Sequence, residues 1–285
     1  MKLYYYAFSG HKWGLDRVKR GVALIKALKD ENIEVQLLLN DFRAGLVAKE
    51  LGVGDSVTIE TIMDVDVLAE DGDIVFIDTP EEDHGRIEKY SNRYKALFHI
   101  VDEDDTKSNF GEYVMSPNGE LSSTIIDNIY FDILEKEDRA VFFLNDSDHS
   151  KTIIFQKDFF RDSNIELILG NYFFVKYEDD LAKFFKKLYE PEEYSDLIRT
   201  SKKVITASIQ TALEARASEA KVLYISNGDE TKDIIASLER LDIDVIDGFN
   251  QNNLSLWLNS NRKLNGKVTI SAKEVAVKIK NKLNL

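Results

Sequence analysis

Short runs rich in β-branched and aromatic residues alternate along this chain with longer stretches of helical period, and that alternation limits its fold more than any other feature. It is the pattern of parallel strands joined by crossover helices. In the N-terminal half "KLYYYAF", "IEVQLLL", "DIVFID" and "ALFHIVD" read as strands. Between the first two, Leu15, Val18, Val22, Ile25 and Leu28 recur at steps of three and four, which predicts a helix with one apolar face against the sheet. The rhythm breaks over residues 111–139, where "SPNGELSST" is turn chemistry and "EKEDR" is a charged cluster before a new strand. The alternation then resumes with strands "AVFFL", "IELIL", "KVITA", "KVLYI" and "IDVID" and helices "DDLAKFFKKLY", "IQTALEARASE" and "TKDIIASLERL". The expectation is an α/β protein of two domains in series, residues 1–138 and 139–285. A last helix is predicted from Ser271, where "SAKE" has capping-box spacing, with Val275, Ile279 and Leu283 as its apolar stripe.

A chain of 285 residues that is 44% apolar, with only 3 prolines, has enough hydrophobic surface to fold, so disorder is excluded. Its net charge of -14 argues against nucleic-acid binding, which needs a basic surface to neutralise phosphates. The lysines and arginines after Arg262 fit a solvated helix face. There is no cysteine, which removes thiol nucleophiles, thiolate ligands and disulfides together. The first apolar run is too short for a signal peptide and no run is long enough for a membrane span, so a cytoplasmic protein is expected.

Open parallel sheets bind ligands beyond the carboxyl ends of their strands, where helix N-termini attract anions. Ser9, Gly10 and His11 follow the first strand; Asp78 and Asp102 end the third and fourth; Asn145 and Asp146 follow "AVFFL"; Ser208 follows "KVITA". His11 has the chemistry of a general base, set against the alternative of a helix-capping histidine. His84, His99 and His149 fit a loop, a strand and a helix start, with structural or solvent roles. Asp78 and Asp102 are candidates to orient a substrate or tune His11, or to cap the following helices. No histidine pair has metal-ligand spacing and "DEDD" at 102–105 reads equally as a solvated loop, so neither metal nor cofactor is expected. In "TASIQTALEA", a helix from Ser208 would offer N–H groups to a phosphate and Glu214 to a ribose diol, or Glu214 would be an ordinary surface residue.

Taken together, "SGHKWGLDRVKRGVALIKAL", "DIVFID", "HIVDED", "AVFFLNDSD" and "SKKVITASIQTALEARASEAKVLYISNGDE" resemble the UDP-sugar hydrolase of pseudaminic acid biosynthesis and its spore-coat polysaccharide relatives, of the GT-B glycosyltransferase superfamily. The resemblance implies two Rossmann-like domains facing across a cleft, with the nucleotide mostly on the C-terminal one. It implies His11 as the base for water attack, Glu214 as ribose contact, and Thr211 and Asn227 as nucleotide contacts. The strand-end positions add Asp78 as a catalytic candidate beside His11, and Gly10, Asp102, Asn145 and Ser208 as candidate substrate contacts. The chain departs from that pattern where phosphates would lie. Ser208, Ile209 and Gln210 stand where the family has a glycine-rich turn, and Asn145 and Asp146 stand for its glycine pair. Side chains and a carboxylate there oppose close approach of a pyrophosphate.

Two functions are therefore expected from the sequence. One is a nucleotide-sugar hydrolase or glycosyltransferase of bacterial surface glycan synthesis, acting on a UDP-linked or similar sugar with His11 as base. The other is a catalytically inactive homologue serving as a binding or regulatory protein beside a glycan-biosynthesis partner.

Overall fold

A parallel sheet covered by helices on both faces buries its central strands from end to end. β1 (Leu3–Ala7) and β4 (Ile74–Asp78) are buried at every position. The computed structural model describes residues 1–268 and 270–285. The chain divides into two units, the first of Met1–Gly10, Arg17–Asn128 and Ile270–Leu285, the second of His11–Asp16 and Ile129–Thr269.

After β1 come α1 (Asp16–Asp30), β2 (Val35–Leu39), α2 (Phe42–Glu50), β3 (Ser56–Thr58) and α3 (Val65–Leu68). β4 is followed by α4 (Arg86–Arg93), β5 (Ala96–Ile100) and β6 (Tyr113–Met115). The strands of this unit form one sheet in the order β3-β2-β1-β4-β5-β6, parallel throughout. The order runs outward from β1 and then returns to its other side, as in Rossmann folds. Ala7 pairs with Asp78, so the carboxyl ends of β1 and β4 open at one level. The predicted stripe is buried at Val18, Val22, Ile25 and Leu28 of α1, and Leu15, just before the helix, is buried as well.

The second unit contains β7 (Glu137–Phe143), α5 (Thr152–Phe155), β8 (Ile165–Ile168), α6 (Val175–Leu181), β9 (Leu188–Tyr189) and α7 (Tyr194–Thr200). It continues with β10 (Ser201–Thr206), α8 (Ile209–Ala217), β11 (Lys221–Ser226), α9 (Lys232–Arg240), β12 (Asp244–Asp247) and α10 (Gln251–Asn259). Its parallel sheet, β12-β11-β10-β7-β8-β9, repeats the progression of the first. The core on one side of it is aromatic, with Phe142, Phe159, Phe160 and Trp257 in one cluster.

Two elements differ from the sequence expectation. The helix predicted over "DDLAKFFKKLY" stops at Leu181, and its last two residues are the edge strand β9. Sheet pairing prevails there: Leu167 and Leu169 donate backbone hydrogen bonds of 3.0 and 2.9 Å to Lys187 and Tyr189. The last helix, α11 (Ala272–Leu283), starts as predicted after Ser271, whose hydroxyl accepts from the Glu274 N–H, and buries Val275, Ile279 and Leu283. Chain order put this helix with the C-terminal half, yet it lies in the first unit. There the Ala272 N–H donates to the Ile126 carbonyl at 2.8 Å and Lys280 pairs with Glu31 at 2.8 Å.

Candidate functional site

In the second unit the strand order reverses between β7 and β10, and Thr206 at the end of β10 pairs with Phe143 at the end of β7. Such a switch point is where an open α/β sheet offers a crevice. Asn145 and Asp146 leave β7 here, and Ser208 caps α8. The segment His11–Asp16 belongs to the same unit and packs on these strand ends. Gly14 has φ 68°, a backbone conformation that favours glycine, and it lies against the Asn145 side chain, which a Cβ there would have to displace. The His11 carbonyl accepts a hydrogen bond from the Ser147 hydroxyl. Its imidazole is exposed, with ring centroids 4.6 Å from Tyr172 and 5.9 Å from Phe174, nearly parallel to the latter.

Asp16 closes this segment. Its carboxylate accepts from the Ser208 hydroxyl at 2.7 Å and from the Gln210 N–H at 3.3 Å. The Ser208 oxygen in turn accepts from the Thr211 N–H at 3.0 Å. The donors at the start of α8, the natural place for a phosphate, are thus taken by an internal carboxylate and an internal cap. A second carboxylate, Asp146, is 1% exposed on the β7 side, where its Oδ1 accepts from the Asn171 amide at 2.7 Å. A carboxylate at this point repels an anionic ligand.

Thr211 and Glu214 meet one buried phenol. The Tyr194 hydroxyl lies 2.7 Å from both Thr211 Oγ1 and Glu214 Oε2, while Glu214 Oε1 accepts from the Gln210 side chain at 2.9 Å. Burial, then the Glu214 charge, pushes the Tyr194 phenol well above its ordinary pKa. Glu214 is 2% exposed, so the surface-residue alternative for it is overturned: α8 is buried on nearly all sides between the sheet and α7, and the glutamate is satisfied inside.

Asn227 lies apart from that group, exposed in the loop after β11. Its side chain accepts from the Asp229 N–H at 2.8 Å. The loop wraps a fourth internal carboxylate: Glu230 accepts from Tyr224, Ser226 and the Gly228 N–H at 2.7, 2.7 and 3.2 Å. Burial opposes its ionisation, but the hydrogen bonds from Ser226 and Tyr224 prevail and lower its pKa.

Gly10, Asp78 and Asp102 belong to the first unit. Gly10 has φ 151° with open space around it. Asp78 is fully buried beneath a bidentate pair from Arg20 at 2.6 and 2.5 Å and accepts from the Tyr5 hydroxyl at 2.8 Å. Arg17 stands 3.4 Å from the same carboxylate. Asp102 takes Arg20 at 2.9 Å and Arg17 at 3.3 Å. Burial works against the Arg20 charge, but Asp78 and Asp102 outweigh it and raise its pKa. Burial likewise opposes the Asp102 carboxylate, and Arg20 and Arg17 overcome it and hold its pKa low. Asp78 is thus the centre of a closed ion-pair cluster.

Sequence reasoning passed over Asp16, Arg17, Arg20, Tyr5 and Tyr194. One signal marks the arginines. Cations in the first turns of a helix oppose its dipole, so Arg17 and Arg20 near the start of α1 call for carboxylate partners. Nothing local marks Asp16, whose partners are nearly two hundred residues away in sequence. Among the described residues no group of histidine, aspartate and glutamate is arranged to hold a metal ion, and no helix is long and apolar enough to cross a membrane.

The fold defines the class to which the chain is similar, the GT-B-like proteins with paired Rossmann-like units. A Staphylococcus aureus MnaA structure solved with UDP matches at a TM-score of 0.61 and 15% identity, covering 100% of this chain and 98% of that one. The UDP-GlcNAc 2-epimerase of Methanocaldococcus jannaschii, solved with UDP-GlcNAc and UDP, matches at 0.58 and 14%, covering 100% and 99%. The glycosyltransferase SnogD of Streptomyces nogalater matches at 0.54 and 13%, covering 100% and 95%. No protein-family model matches the chain, and no curated protein matches its sequence.

Proposed function

We propose that this chain is a non-catalytic protein of the nucleotide-sugar enzyme architecture, acting by binding in glycan biosynthesis rather than by turnover. The observation that carries this reading is the Asp16 carboxylate on the Ser208 hydroxyl and Gln210 N–H, at the start of α8. A diphosphate would have to displace that carboxylate and would then meet its charge. Glu214, the residue a ribose would need, has both carboxylate oxygens engaged internally. Solved neighbours of this fold carry UDP or UDP-GlcNAc, and this chain shares their architecture at low identity.

A second reading has one observation in its favour. The His11 imidazole is exposed and held against the Tyr172 and Phe174 rings, as a base acting on a bound nucleotide sugar would need to be. Calorimetry with UDP, CDP and GDP, followed by an assay of nucleoside diphosphate release from a panel of nucleotide sugars, separates the two. The expected result is neither saturable heat at millimolar nucleotide nor release above the uncatalysed rate. Turnover that His11→Ala abolishes would overturn the non-catalytic reading and establish the hydrolase or transferase.

A further inference from the structure

A buried cation needs a counter-charge, and at the C-terminal end of α8 one is missing. Nine helical residues carry the chain about 13 Å away from Ser208, to the side of the second unit's sheet where β11 starts. There Arg216 is 2% exposed. Its guanidinium donates from Nε to the Leu241 carbonyl at 2.8 Å and from Nη2 to the Asn265 and Gly266 carbonyls, each at 2.9 Å. Nη1 hydrogen-bonds to nothing among the described residues, and no carboxylate of theirs stands within ion-pair distance of the group. Arg262 nearby, by contrast, holds both Asp242 and Asp244. Carbonyl dipoles satisfy N–H groups but leave the charge uncancelled. Burial lowers the Arg216 pKa, and Glu219 is the carboxylate that opposes this. Glu219 does the same for Lys136 and stands 3.8 Å from Lys267, so one carboxylate serves three cations in a chain of net charge -14.

Arg216 lines a pocket of about 90 Å³ whose walls are Phe131, Ile133, Ala217 and Val268, with the exposed Glu219 and Lys267 completing it. We propose that this pocket binds a small organic carboxylate, its anionic end on Arg216 Nη1 and a short apolar chain against the walls. At roughly 10–15 Å³ for each water-sized position, the space holds a carboxylate and a few carbons. Apolar walls reward hydrocarbon over a second polar group. Glu219 in the lining repels a dianion more than a monoanion, which sets a carboxylate ahead of phosphate. The occupant ties the end of α8 to the segments around Phe131 and Val268. This site is separate from the donors at the start of α8, so it stands whether or not a nucleotide binds there.

Titration of the isotope-labelled full chain with sodium butyrate, followed by amide chemical shifts, tests the idea, with butyramide as the uncharged counterpart and sodium phosphate as the competing anion. Saturable shifts are expected at the amides around Phe131, Ala217 and Val268, with a Kd of about 1 mM. Butyramide should bind at least about ten-fold more weakly, because a charge-assisted hydrogen bond is lost. Arg216→Met should abolish the shifts. Ile133→Asp keeps the test decisive if that variant does not fold: Ile133 is 52% exposed, and a carboxylate there should weaken butyrate by about ten-fold or more. Leu256→Asp, at a 72% exposed position of α10, should bind like wild type. No saturable shift up to about 50 mM butyrate would overturn the proposal and leave Arg216 a structural clamp on three carbonyls. So would equal binding of butyramide, tighter binding of phosphate at the same amides, or butyrate shifts unchanged by Ile133→Asp.

Discussion

At the scale of single residues, carboxylates in this chain are spent on internal partners. Asp78 shows the consequence for stability. It has no exposed surface, and Arg20 supplies both of its short charge-assisted bonds. Removing one partner of a buried pair leaves the other charged and desolvated, which costs about 3–5 kcal/mol. Arg20→Met should lower unfolding free energy by an amount at the lower end of that range, since Arg17 remains near Asp78; a urea titration measures it. Lys136 gives a test in pH. Burial pushes its pKa down to about 8, and its ammonium donates to the Arg199 carbonyl at 2.7 Å. A depressed pKa means that the unfolded chain binds the proton more readily than the native one between about pH 8 and the ordinary lysine value of about 10.4. The contribution of Lys136 is therefore present above that window and lost as pH falls through about 8. Lys136→Met should remove it, so the stability difference between wild type and variant should change between pH 8 and 10 and stay flat from 6 to 7.

At the scale of elements, α11 shows how a helix fully legible in the sequence acquires a place that was not. Ser271 caps it, and its stripe of Val275, Ile279 and Leu283 is buried in the first unit, with the Ala272 N–H on the Ile126 carbonyl. A stripe says which face will be covered; it does not say by what. Ending the chain after Gly266 should therefore uncover apolar surface of the first unit, although the deletion is made at the C-terminus. Each large aliphatic side chain returned to water costs about 1.5–3 kcal/mol. Hydrogen exchange should show the loss of protection in α1 and the 120–128 segment, with β7, β10 and β11 retaining theirs; uniform loss in the second unit instead would contradict this assignment. The edge strand β9 teaches the complementary point. Its residues continue a helical pattern, and pairing with β8 overrides it, because long-range hydrogen bonds are invisible to local periodicity.

At the scale of the whole molecule, two Rossmann-like units were legible because parallel strands buried on both faces must be written as apolar runs, and crossover helices as one-sided stripes. The same rule located the strand ends, so Asn145, Ser208, Asp78 and Asp102 were nominated from position alone, and Asn145 and Ser208 do lie at the β7–β10 switch point. What those residues touch was not legible. His11, Asn145 and Ser208 come together only through the His11–Asp16 segment, which packs Gly14 on Asn145 and sets the Asp16 carboxylate on α8. Glu214 is read as a ribose contact or as a surface residue until the Tyr194 hydroxyl, twenty positions before it, is seen against it. The amino-acid order by itself determined the class of fold, through the periods of 2 and 3.6 that every strand and helix must obey. Only the tertiary structure decided that the anion-binding ends are filled by the chain's own carboxylates, because hydrogen bonds between side chains distant in sequence depend on which loops the closed sheets bring within 3 Å.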